Sequence, residues 1–195
     1  MEPIAFDEET EAAAPDALTY WGRAGTLLFV AAWGAYLASL DYRYNAIGQS
    51  FMHAILLPIH EAGHVLFRPF GEFMTVLGGS LFQVSLPFAI GVAFLWRQHD
   101  AFGAAICLWW TGASLVDLAP YIWDSLDPQI VLLGGRTGED GGHDWIYLLG
   151  RFNAIPRAHA YGAFAHHLGT LAMAGAVGWG IWWLVKKRPQ AKGPS

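Results

Sequence analysis

The sequence predicts an all-α fold: a polytopic transmembrane helical bundle of about five helices. Apolar residues make up 54% of the chain against 14% charged, a balance foreign to water-soluble domains. The apolar residues also gather into runs of about 20, enough to span a hydrocarbon core of roughly 30 Å. In lipid every backbone polar group needs an internal partner, so such runs read as helices rather than strands.

The elements follow in order. The first 18 residues carry Glu2, Asp7, Glu8, Glu9, Glu11 and Asp16. A secretory signal would open with a positive region before a short apolar one, so residues 1–18 read as a disordered acidic tail. Residues 19–186 read as a single transmembrane domain. Its first span runs from Tyr20 to Leu40, with Tyr20 and Trp21 placed where an aromatic belt would hold them. A second runs from about Ile47 to Phe67 and contains Pro58. A third, Phe73 to Trp96, holds no charged residue and ends at Arg97, His99 and Asp100. Its opening stretch, Gly71–Gly79, is equally open to being a short membrane-embedded hairpin, given its Gly pair and β-branched residues. The fourth span runs from Ala101 to about Trp123. After a polar, Gly-rich connection, Ala158 to Val185 forms the last, closed by Lys186, Lys187 and Arg188. Residues 187–195 read as a basic C-terminal tail, which the positive-inside rule would place in the cytoplasm.

Several functions are excluded early. The net charge of −5 comes with no basic block, so no nucleic-acid partner is expected. The single Cys107 rules out an intramolecular disulfide and a Cys-rich zinc site.

The chemistry concentrates in the segment HEAGH. His60 and His64 are four residues apart, so on a helix both imidazoles project from one face, one turn apart. Two ring nitrogens so placed can meet one zinc ion. Glu61, displaced around the helix, is positioned to act on a water rather than as a ligand. It is also the one carboxylate of an apolar helix, where an ionisable group is costly unless it has a task. His53, seven residues before His60, shares that face and reads as a group that supports a ligand or faces substrate.

A hydrolytic zinc site needs a third protein ligand. Asp124, near the end of the fourth span, is the first choice, because the second and fourth spans run in the same direction and end on one face. Asp117, seven residues earlier, would orient a ligand from deeper in the bundle. The alternative is the loop sequence GGHDW, Gly141–Trp145, which offers His143 as ligand and Asp144 beside it as ligand support or lid.

HEAGH inside a transmembrane span resembles the site-2 protease family of intramembrane zinc metalloproteases. In that family a later helix carries the pattern Asn-x-x-Pro-x-x-x-Leu-Asp-Gly, whose Asp is a metal ligand. Asp117, Pro120 and Asp124 are similar to it: Pro keeps its offset, Asp stands for Asn, and the final Asp comes one residue early without its Gly. The resemblance implies a Zn2+ cofactor, Glu61 as catalytic general base, and peptide-bond hydrolysis in membrane-protein substrates within a bilayer, a bacterial inner or cell membrane being expected. It also implies an edge strand that grips substrate, a role open to Gly71–Gly79. Two other functions remain open at this stage. One is a His-rich redox protein, di-iron or haem, drawing on His159, His166 and His167. The other is an inactive protease-like protein that binds membrane partners.

Overall fold

The computed structural model describes residues 15–189. The expected acidic tail lies outside the described residues as far as residue 14, and the basic tail from residue 190 onward. Among the described residues the regular structure is helical throughout. Six α-helices follow one another: α1 Ala17–Ser39, α2 Phe51–Phe67, α3 Glu72–Gln98, α4 Ala101–Asp124, α5 Asp144–Gly150 and α6 Ala158–Lys186. Single 3-10 turns lie in the connections.

Three stretches among the described residues are long and apolar enough to cross a membrane: Glu72–Gln98, Ala101–Asp124 and Ile155–Lys186, which includes α6. Neither α1 nor the 17-residue α2 is among them. There is one helix more than the five expected, the seven-residue α5. The hairpin expected at Gly71–Gly79 is replaced by helix. Gly71, at a φ of 92° that favours glycine, stands just ahead of α3, and the chain is helical from Glu72 onward.

The Gly pair that suggested a turn has a packing role instead. α2 lies so close to α3 that a Cβ on Gly63 would overlap the carbonyl oxygen of Gly78. A Cβ on Gly78 would in turn stand 2.7 Å from the carbonyl oxygen of Gly63. Small residues are what permit two backbones to approach in this way where lipid offers no hydrophobic drive to pair helices.

α4 is the central helix, buried along most of its length. It packs most extensively on α6. There Gly112 and Gly169 meet, and a Cβ on either would stand 2.6 or 2.5 Å from the other's carbonyl oxygen. Trp109, Ala113 and Val116 of α4 join Leu27, Val30 and Leu37 of α1 and Met173 and Ala176 of α6 in one apolar cluster. The opposite faces expose Leu28, Phe29, Phe88, Leu95, Phe164, Leu171 and Trp182. Large apolar side chains turned outward on this scale suit lipid, not water.

Polar residues punctuate the helices. Asp16 accepts from Thr19 N at 3.0 Å to start α1. Ser50 Oγ accepts from His53 N at 3.3 Å to start α2. Asp100 accepts from Phe102 N and Gly103 N to start α4, directly after His99 closes α3 in the left-handed region. The same Asp100 carboxylate receives a bidentate pair from Arg23 of α1 at 3.1 and 3.0 Å. The guanidinium also lies 4.6 Å from the Trp183 ring, so one end of the bundle is tied across α1, α4 and α6.

The contact between Gly112 and Gly169 sets the α4–α6 distance. Gly169→Ala should therefore lower stability by about 1–3 kcal/mol through overpacking. Denaturation in detergent micelles against the wild type checks this.

Candidate metal centre

The site is built on α2 and closed by α3 and the start of α5. His60 and His64 present their rings side by side, with centroids 4.8 Å apart and planes at 77°. The ligand atoms of His60, Glu61 and His64 all lie within 4.8 Å of one another, forming a group that could hold a metal ion. From the far side comes the carboxylate of Asp144. Its Oδ2 stands 3.0 Å from His60 Nε2 and 3.2 Å from His64 Nε2.

The hydrogen bonds on the other ring nitrogens decide what these three atoms offer. His64 Nδ1 lies 2.8 Å from the Thr75 carbonyl oxygen, which can only accept, so Nδ1 carries the proton. His60 Nδ1 lies 2.9 Å from Gln83 Oε1, and by the same reasoning it donates. In the neutral rings both Nε2 atoms then present lone pairs, facing a carboxylate oxygen that also has only lone pairs. Such a set repels itself unless positive charge sits among it, as a metal ion or as added protons. Metal-bound histidines typically show this pattern, one nitrogen on the ion and the other N–H held by a carbonyl or carboxylate. Two imidazoles and a carboxylate are also a donor set that zinc accepts.

Space is reserved at the same point. A Cβ on Gly79 of α3 would stand 2.6 Å from Nε2 of both His60 and His64. Glycine keeps open the volume onto which both lone pairs converge. Asp144 is partly buried, which works against its charge, but with protons on the two Nε2 atoms, as in the metal-free protein, hydrogen bonds from His60 and His64 outweigh this and hold its carboxyl below the ordinary carboxylate range.

Asp124, the first choice for third ligand, is engaged elsewhere. Its Oδ1 accepts from Gln129 N at 2.7 Å and Ile130 N at 3.1 Å, and its Oδ2 lies 3.3 Å from His143 Nε2. His143, the alternative, faces Asp124 and is not in the group of His60, Glu61 and His64. Its Nδ1 faces Ile146 N at 3.4 Å as the N-cap of α5. Tyr121 stacks on the His143 ring with centroids 4.2 Å apart, and its hydroxyl accepts from Asp144 N at 3.0 Å. Asp124, Tyr121 and His143 thus anchor the start of α5, and that anchor delivers Asp144 to the two histidines. Asp117 and His53 lie 2.9 Å apart, Asp117 Oδ1 against His53 Nδ1. The other oxygen of Asp117 accepts from Gln83 Nε2 at 2.9 Å.

The remaining histidines do not join this group. His159 stacks on Trp123 at 3.8 Å, and His166 on Tyr42 at 4.4 Å, with His167 edge-on to His166 at 5.4 Å. A cavity of about 500 Å³ opens over the centre. Glu61, His53, Tyr121 and Asp144 line it, together with Ile130–Gly134 of the α4–α5 connection. Glu61 is exposed there, with no hydrogen bond among the described residues.

Sequence reasoning missed Gln83, Thr75, Gly79 and Tyr121. Gln83 did carry a signal, as an amide in a span without charges, where polar groups default to a function. Thr75 acts through its backbone, which no side-chain pattern reveals. Gly79 read as a turn former because its neighbour across the helix interface was unknown.

Comparison of the chain with protein-family models, with curated proteins and with solved structures finds no match.

If the Gly79 space is the metal's, Gly79→Ala should abolish uptake of one divalent ion per chain while the helical circular dichroism stays unchanged. Metal analysis after dialysis against zinc reads the outcome.

Proposed function

We propose that this chain is a multi-pass integral membrane zinc metalloprotease, with His60, His64 and Asp144 as metal ligands and Glu61 as general base. The observation that carries the proposal is the convergence of three lone-pair atoms beside a free carboxylate, all facing one cavity. Zinc bound there would supply Lewis acidity, polarising a substrate carbonyl and lowering the pKa of a water toward about 7.

The chain's own residues supply the rest. Glu61 takes the proton of the attacking water on a carboxylate oxygen and passes it to the departing amine. Thr75 and Gln83 hold the two imidazoles in the tautomer that turns Nε2 toward the ion. Tyr121 and Asp124, through α5, hold Asp144 opposite them.

The cavity wall suits an extended peptide. Residues 130–133 run without helix along it, and the backbone N–H and C=O groups of Val131 and Leu133 make no hydrogen bond among the described residues. An extended substrate segment can pair with such a free edge, as in strand addition. The apolar exterior and the three helices able to cross a membrane support a substrate that is itself membrane-associated. Its helical segments must unwind first, since a helical peptide bond is shielded by its own hydrogen bonds.

Glu61→Gln separates chemistry from metal binding. The variant should retain zinc at the wild-type level and lose cleavage of a membrane-peptide substrate by at least about 100-fold. Cleavage at the wild-type rate with zinc still bound would refute the general-base role.

A further inference from the structure

Four side chains from three helices form a continuous hydrogen-bonded line that ends on one of the two histidines. His53 Nδ1 meets Asp117 Oδ1 at 2.9 Å, and Asp117 Oδ2 accepts from Gln83 Nε2 at 2.9 Å. Gln83 Oε1 then meets His60 Nδ1 at 2.9 Å. Gln83 is 1% exposed and Asp117 6%, so water has little access to the bonds that Gln83 makes.

Each member of this line constrains the next. An ionised carboxylate offers only acceptors, whereas a side-chain amide has one accepting and one donating end. Asp117 can therefore face only the NH2 of Gln83, and this forces the carbonyl of Gln83 toward His60. Facing a carbonyl, His60 Nδ1 has to carry the proton, and its Nε2 is left with the lone pair. His64 needs no such device, because its Nδ1 faces a backbone carbonyl that cannot turn round.

We propose that Asp117 is a positioning residue that sets the tautomer of His60 through Gln83, and so decides whether His60 can bind a metal ion. The inference rests on the metal reading above but concerns the polarity of the line, not the reaction. It assigns His53 a role as well. His53 N–H occupies the second oxygen of Asp117, so a replacement amide at position 117 would keep its oxygen on His53 and turn its NH2 toward Gln83. Gln83 would then reverse, present its own NH2 to His60 Nδ1, and place the His60 proton on Nε2, the atom the metal needs.

That reversal gives a test with a built-in rescue. Asp117→Asn should weaken zinc binding by about 10–100-fold, the range seen when groups supporting a metal ligand are lost. Gln83→Glu alone should weaken it too, because two carboxylates would then face each other. In the double variant Asp117→Asn/Gln83→Glu the new amide donates to the new carboxylate, whose other oxygen again accepts from His60 Nδ1. Its zinc affinity should return to within about threefold of wild type, by the reversal of the same loss. Competition against a chromogenic chelator measures all four proteins in detergent.

Asp117→Asn at wild-type affinity, or a folded double variant no tighter than the weaker single one, would overturn the proposal. Should the single variants fail to fold, the cobalt(II)-loaded wild type carries the test. It should show two shifted, exchangeable imidazole N–H resonances, from Nδ1 of His60 and of His64, and a missing His60 signal overturns the assignment. Failure of the wild type itself to take up zinc or cobalt would count against the metal centre, and is thereby distinguished from failure of the relay.

Discussion

Lone pairs brought together at His60 Nε2, His64 Nε2 and Asp144 Oδ2 are the constraint around which the molecule is organised. Electrostatically the arrangement is unfavourable by itself, and much of the surrounding structure serves to hold it. Thr75 and Gln83 hold the back of each ring. Gly79 leaves the front clear. Gly63 and Gly78 bring α2 and α3 close enough for one helix to serve the histidines of the other. On the third side, Tyr121, Asp124 and His143 fix the first turn of α5. On the metal reading proposed above, an ion bound among these atoms would relieve that repulsion.

The same logic explains where the buried polar residues fall. Gln83, Asp117, Asp124 and His143 are all buried, and each would be costly in an apolar bundle without a partner. They are found in two short networks that run to the same point, one ending on the His60 imidazole and the other on the Asp144 carboxylate. Elsewhere α4 and α6 are joined by apolar side chains and by the Gly112–Gly169 contact. These four buried polar residues thus hold the geometry around the two histidines, while others such as His166 are buried apart from it. The far end of the bundle uses the ion pair of Arg23 with Asp100 for mechanical closure.

The long helices were legible because hydropathy and length act over twenty residues at a time. Phe73–Trp96 became Glu72–Gln98, and Ala158–Val185 became Ala158–Lys186. The pair of histidines was legible because an i, i+4 spacing is a property of one helix. What could not be read was anything depending on the path of the connection after α4. α5 is seven residues long, too short for periodicity to announce, and its start is decided by contacts to Tyr121 and Asp124. The spacing of Asp117, Pro120 and Asp124 pointed to Asp124 as the ligand, whereas the structure sets Asp124 against Gln129, Ile130 and His143 and brings the Asp144 carboxylate to the two histidines. Gly78 and Gly79 misled for a related reason: glycine serves turns and close helix contacts alike, and only the partner distinguishes them.

The distance along the chain between His60 and Asp144 is 84 residues, and it has a consequence for biosynthesis. Ribosomes deliver the imidazoles first, on a helix that forms locally. Translation must then pass through α3, α4 and the whole connection before the carboxylate exists. A nascent chain halted between residues 64 and 144 holds the two imidazoles and the Glu61 carboxylate but not the Asp144 oxygen. The full set of acceptors comes into being only when α4 is made and the chain has turned back on itself. Assembly order therefore keeps the group incomplete until α3 and α4 have been made, while α6 is still to come.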